Sequence, residues 1–150
     1  MQAARASSPR IWLYIVGVFA TIVAVIAIPN LKLARITANE ASAKLSLHAI
    51  NVAQAKFAAS NHAKGYACTL GALRDDQLIP DSLAAGEDKG YLFEISDCGP
   101  PTPNRVYRVF AHPETKDQTG HWVFCSDQTT REKASPESRE DCFDHGVAQR

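Results

Sequence analysis

The stretch from Ile11 to about His62 constrains this chain more than any other. It reads as one long helix. Ile11–Ile28 carries no charge and is almost wholly apolar, whereas Asn30–His62 is alanine-rich and amphipathic. No glycine falls between Gly17 and Gly65, and the only proline in the stretch is Pro29. Proline removes one backbone hydrogen bond, so Pro29 predicts a kink rather than a stop, because helical patterning resumes at once. At ~1.5 Å per residue the element is roughly 75–80 Å long. That is more than a compact domain of this size needs. A helix half greasy and half amphipathic predicts a transmembrane foot carrying a stalk, with the later residues folded on the stalk.

The apolar half gives about 27 Å of helix, close to the ~30 Å hydrocarbon core of a bilayer. Arg10, Trp12 and Tyr14 stand at its start, where a basic flank and amphipathic rings mark a membrane interface. A basic flank before the span predicts a single pass through the bacterial cytoplasmic (inner) membrane, N-terminus cytoplasmic and C-terminal domain outside. The lipid bilayer is then a partner. The competing reading is a cleaved signal peptide with a site near Ala24 or Ala27. The expected organisation is a tail over 1–10, a membrane half over 11–28, a stalk half over 29–63 and an extracytoplasmic head over 64–150.

The stalk half can be tested by angle. At about 100° per residue from Leu45, Ala49 and Val52 lie within 40°, Ser46 and Ala53 near 80–100°, and Leu47, Ile50 and Phe57 between about 120° and 200°. The apolar arc is near 220°, wider than the ~100° stripe of an ordinary surface helix. Two explanations fit: a helix half wrapped by its own sheet, or one burying opposite sides on its own domain and on neighbouring copies.

Gly65 is placed to end the helix, and Thr69 to cap a short turn over Thr69–Arg74. Three short runs of β-type residues follow: Tyr91–Ser96, Val106–Ala111 and His121–Cys125, bounded by Gly, Pro, Asn or Asp. They predict an α+β fold in which a three-stranded antiparallel meander packs one face on the stalk. Tyr91, Phe93 and Ile95 are the expected inward positions. Thr129–Arg139 is almost without apolar residues and reads as a solvated loop.

All four cysteines, Cys68, Cys98, Cys125 and Cys142, follow the apolar stretch. An even count at wide spacing after a membrane or export signal predicts disulfides in an oxidising compartment. Four cysteines permit three connectivities; nearest-neighbour pairing, Cys68–Cys98 with Cys125–Cys142, would staple the segments otherwise loosest. A competing metal reading uses His121, Cys125, Cys142 and His145, whose spacing could suit tetrahedral zinc. Asp117 and Asp127 are thin candidates for calcium. Asp75-Asp76 and Glu87-Asp88 read as solvated turn carboxylates, and His48 as exposed or packed. No C-x-x-C, G-x-S-x-G, H-E-x-x-H, P-loop or G-x-G-x-x-G occurs, so no catalytic residue and no cofactor is indicated. A formal net charge of zero leaves no basic surplus for nucleic acid.

Several stretches carry a resemblance. Ile26-Ala-Ile-Pro29-Asn30-Leu, Ala34-Arg35, Ala38-Asn39-Glu40-Ala41-Ser42 and Ile50-Asn51 with Ala53-Gln54-Ala55 resemble the helix of type IV pilins and type II secretion pseudopilins. Gly90-Tyr91-Leu92-Phe93 and Phe124-Cys125-Ser126-Asp127-Gln128 are similar to pieces of pilin-type domains, in the same order. The resemblance spans roughly Val23–Gln128. It implies a pilin-like subunit, a long helix on a small sheet, whose helices stack against those of pilin-like or secretion-system subunits. On that reading Leu31, Ala34, Ala38, Ala41 and Leu45 are the candidate helix-packing residues. The prepilin features are missing: aligned on Pro29, the cut falls near Ser7–Ser8 and the family's glutamate near Trp12, while the first acidic residue is Glu40. The expectation is therefore an unprocessed, anchored relative with a structural rather than enzymatic role. The alternative is an extracytoplasmic binding module with a metal or small ligand near Cys125–His145.

Overall fold

The computed structural model describes residues 9–99 and 102–149, apart from the side chains at positions 9, 24, 26, 27 and 29. Ser7–Ser8, where the cut of the resembling family would align, most of the tail over 1–10, and the side chains of the signal-peptide site near Ala24 or Ala27 lie outside the described residues. Helix α1, Pro9–Ser60, is one element through position 29. The chain divides into two units, Met1–Ala34 and Arg35–Arg150, and α1 contributes to both.

In the first unit every described side chain from Arg10 to Ala34 is exposed. Among the described residues no helix is long and apolar enough to cross a membrane. This corrects the transmembrane assignment of Ile11–Ile28 and the single-pass inner-membrane location drawn from it. Arg10, Trp12 and Tyr14 are exposed at the start of α1.

The second unit holds the sheet, and here too the expectation is corrected. The strands are β1 (Glu87–Asp88), β2 (Tyr91–Ser96), β3 (Arg108–Pro113), β4 (Val123–Asp127), β5 (Lys133–Ser135) and β6 (Val147–Ala148). They form one six-stranded antiparallel sheet in sequential order, not a three-stranded one. The additional strands, β1, β5 and β6, are two or three residues long and rich in charged or small side chains. Neighbouring strands and turns create them, not a pattern of their own. β1 joins β2 through Lys89 (φ 47°) and Gly90 (φ 76°), the two left-handed residues that a tight hairpin turn of type I′ requires.

Three short helices complete the unit: α2 (Leu70–Asp75), α3 (Asp81–Ala84) and α4 (Arg139–Asp144). The Thr69 hydroxyl accepts from the Ala72 N–H and caps α2; Ser138 caps α4 in the same way through Asp141 N–H. Ala43, Leu47, Ile50, Ala53 and Phe57 of α1 form the principal core with Leu70, Leu73, Ile79, Leu83, Tyr91, Phe93, Tyr107, Val109 and Phe124. Burying a side chain such as Leu47 or Ile50 stabilises the unit by about 1.5–3 kcal/mol. On the other sheet face, Phe110, Val123 and Cys125 meet Cys142 and Phe143 of α4 in a second, smaller core. Gly65, just past α1, has φ 76° and lies so close to Asn104 that a Cβ would sit 2.1 Å from its carbonyl oxygen. Only glycine lets the two segments meet there.

Candidate functional site

In the second unit the wide apolar arc of α1 separates into two faces. Ile36, Ala43, Leu47, Ile50, Ala53, Gln54 and Phe57 are buried. On the opposite side Ala38, Ala41, Leu45, Ala49 and Val52 lie within about 40° of Leu45 at 100° per residue, and all five are exposed. Leu45 is 72% and Val52 42% exposed. Leu31 and Ala34 belong to the first unit, where both are exposed. All five candidate packing residues therefore lie at the surface. In the first unit the helix is apolar on every side: Ile11, Leu13, Ile15, Val18, Phe19 and Ile22 are each at least half exposed.

What holds α1 in this rotation is a set of polar contacts to the head. Tyr107 Oη donates to Asn51 Oδ1 (3.0 Å), and Asn51 Nδ2 donates to Ser126 Oγ (2.9 Å), all three residues being buried. The Gln54 amide pairs twice with the backbone of Ala67, donating to its carbonyl and accepting from its N–H, both at 2.8 Å. Nearer the start of the unit, Asn39 Nδ2 donates to Thr119 O, and Glu40 accepts from His121 N–H. Lys44 donates to Gln149 and lies over the Phe124 ring. Burial, reinforced by Glu40, raises Tyr91 above the usual phenol range; burial, with Tyr66 and Asp127 adding, does the same for Tyr107. Both stay protonated donors. The sequence carried one sign of the network: two amides, Asn51 and Gln54, on the apolar side of the helix.

The residues read as possible chemistry are dispersed. Cys68 is bonded to Cys98 and Cys125 to Cys142, with no free cysteine. The proposed zinc set thereby has no thiolates. His121 Nδ1 lies 2.6 Å from Asp117, and His145 Nδ1 3.1 Å from Asp141. Among the described residues no group of three or more His, Cys, Asp or Glu is placed to hold a metal ion. Asp127 accepts from the N–H and hydroxyl of Thr129, stabilising its own turn, so it does not join Asp117. Asp75 pairs with Arg74, Asp76 accepts from Asn61, Asp88 from Ser46, and exposed His48 meets Glu132 at 3.1 Å. Ser135, Asp141 and His145 are linked, but Asp141 sits in the middle. The serine donates to a carboxylate rather than to an imidazole, so the order that activates a serine nucleophile is absent from this trio.

No family model, curated protein or solved structure matches this chain.

Proposed function

We propose that this protein is a structural subunit that assembles by packing α1 against the α1 helices of other copies. One observation carries the reading: from Ile11 to Val23 the described side chains are apolar or small on all sides of the helix and exposed. A helix apolar all round is stable in water only when something covers it, and patches of this kind mark association surfaces. No charged residue occurs between Arg10 and Lys32. Identical helices can therefore meet along this stretch without desolvating an ion, which would cost several kcal/mol for each charge buried. A copy of the same helix is thus a complementary occupant. The resemblance of the α1 sequence to pilin and pseudopilin helices supports the same mode of work. The two disulfides fit assembly in an oxidising compartment.

The test is sedimentation of the full-length protein over a concentration series, beside a Val18→Glu/Ile22→Glu variant. Each introduced carboxylate would cost several kcal/mol to bury unpaired. The variant should then associate at least about a thousandfold more weakly, with its head still folded by circular dichroism. A parent that stays monomeric at its highest soluble concentration overturns the reading, and so does a variant that assembles like the parent.

A further inference from the structure

The two disulfides stand in opposite surroundings. Cys125 and Cys142 are wholly buried in the second core, with Phe110 and Val123. Cys68 and Cys98 are partly exposed. A cavity of about 600 Å³ opens beside Cys98, and its described walls include Asp97, Cys98, Asn104 and Arg105 but not Cys68. Thiol–disulfide exchange proceeds by attack of a thiolate on one sulfur of the link, so access decides which link reacts and at which end. Cys98 is the end that borders the open space.

The polar neighbours point the same way. Asn104 Nδ2 donates to Cys68 Sγ at 2.9 Å. A donor aimed at a sulfur favours its anionic form and makes it the better leaving group. Cys98 Sγ has the opposite neighbour, the Tyr66 carbonyl oxygen at 3.9 Å, and Cys142 Sγ faces the carbonyl oxygens of Val123 and Lys133 at 3.7 and 3.6 Å. Acceptors of this kind disfavour a thiolate. On the cavity wall Asp97 is taken by Arg108 at 3.0 Å, whereas exposed Arg105 makes no ion pair among the described residues. The uncompensated charge there is positive, which favours the approach of an anion.

We propose that Cys68–Cys98 is a site of thiol–disulfide exchange in the folded head, with a dithiol as its reductant, while Cys125–Cys142 stays closed. One thiolate of the dithiol bonds to Cys98 Sγ. The Cys68–Cys98 bond breaks, and its electron pair leaves on Cys68 Sγ beside Asn104. The second thiol of the reagent, as its thiolate, then attacks the reagent's own sulfur in the mixed disulfide and releases Cys98. The dithiol is oxidised by two electrons to its disulfide, and its two protons end on Cys68 and Cys98. The link ties the segment after α1 to the end of β2, where Tyr66 N–H donates to Asn104 O and Asn104 N–H to Lys64 O. Once it opens, no covalent link joins the two segments, so thiols loosen the seat of the α1 end. The proposal is independent of assembly through α1.

The test treats the full-length protein with dithiothreitol in native, mildly alkaline buffer, followed by pulse alkylation and peptide mass mapping. Cys68 and Cys98 should be alkylated at least about a hundredfold faster than Cys125 and Cys142, whose exposure needs a larger opening of the head. Amide exchange over residues 64–68 should rise while the head stays folded by circular dichroism. With the monothiol glutathione, acid-quenched, the trapped adduct should sit on Cys98 and the alkyl group on Cys68. Asn104→Leu should slow the first step about fivefold, the loss of one hydrogen bond to the leaving sulfur. If that variant disturbs the close approach to Gly65, the two experiments on the parent decide alone. Two links that open together, a Cys68–Cys98 link that opens only as fast as the head unfolds, or an adduct on Cys68 overturns the proposal. So does a folded Asn104→Leu protein that exchanges at the parental rate.

Discussion

Replacing Tyr107 by Phe probes the contact that sets the rotation of α1 on its head. The ring stays, so packing against the α1 core is retained, but Asn51 Oδ1 loses the donor that now reaches it at 3.0 Å. Both residues are nearly inaccessible, Asn51 at 3% and Tyr107 at 1% exposed. Water therefore does not replace the lost partner, and a stranded acceptor of this kind costs about 1–3 kcal/mol. Asn51→Leu strands the tyrosine hydroxyl instead and removes the bond to Ser126, so its cost should be at least as large. The double variant strands neither partner of the Tyr107–Asn51 bond. It should fall short of the sum of the singles by about 1–2 kcal/mol, well outside the ~0.5 kcal/mol scatter of independent sites. The assay is urea unfolding at one fixed protein concentration, with amide exchange in β3 and β4 as a local check. Additive single and double losses would falsify the claim that this network is a coupled unit.

The remaining predictions concern the staples and one histidine. By chain entropy alone, opening the Cys68–Cys98 link (sequence separation 30) should cost about 3.6 kcal/mol and the Cys125–Cys142 link (separation 17) about 3.1. Cys125 and Cys142 are wholly buried with Phe110 and Val123, so paired alanine substitution there also leaves a cavity, and the order should reverse. Denaturation midpoints of the two double variants decide it, and a larger loss for the Cys68/Cys98 pair would show that packing of the second core contributes little. His112 is held below its usual pKa by burial first and by Arg139 next, with Glu94 opposing. Between the folded and unfolded pKa values the unfolded chain binds the extra proton, so stability rises with pH and is lost as pH falls below about 6.5. His112→Gln should flatten that acid-side slope in a pH series of urea midpoints; an unchanged slope would place its origin elsewhere.

Much of the fold was legible where pattern is dense. Tyr91-Leu-Phe-Glu-Ile-Ser alternates cleanly, and β2 occupies those six residues. The next run was misplaced by two residues because Val106 and Tyr107 look like strand. Tyr107 is buried, but its hydroxyl serves α1 rather than a ladder, and pairing begins at Arg108. β1, β5 and β6 were invisible for a different reason. Glu87-Asp88 and Lys133-Ala134-Ser135 have no β propensity to read, and they become strands only because β2 and β4 supply ladder partners. The solvated loop expected over Thr129–Arg139 contains β5 for the same reason: two buried small residues, Ala134 and Ser135, suffice once a neighbour is present.

The candidate site was harder to read because apolar character does not say what covers it. Leu45 and Leu47 are the same residue type two positions apart, yet Leu47 is fully buried and Leu45 is 72% exposed. Periodicity located both and could assign neither, since the arc admits an enveloped helix as well as a two-faced one. The deciding residues are polar. Asn51 and Gln54 find partners in Tyr107, Ser126 and Ala67, and a misrotated α1 would leave those groups buried and unpaired. That penalty fixes which side faces the sheet more sharply than a second stripe of alanines could, because hydrophobic burial is non-directional and a hydrogen bond is not. A face held open in this way is thus a property of the folded head rather than of the helix alone. Disrupting the Asn51 network should consequently loosen the seating of α1 on the sheet, read as faster amide exchange over residues 43–57, and an Asn51→Leu variant with parental exchange there would show that apolar packing alone sets the rotation.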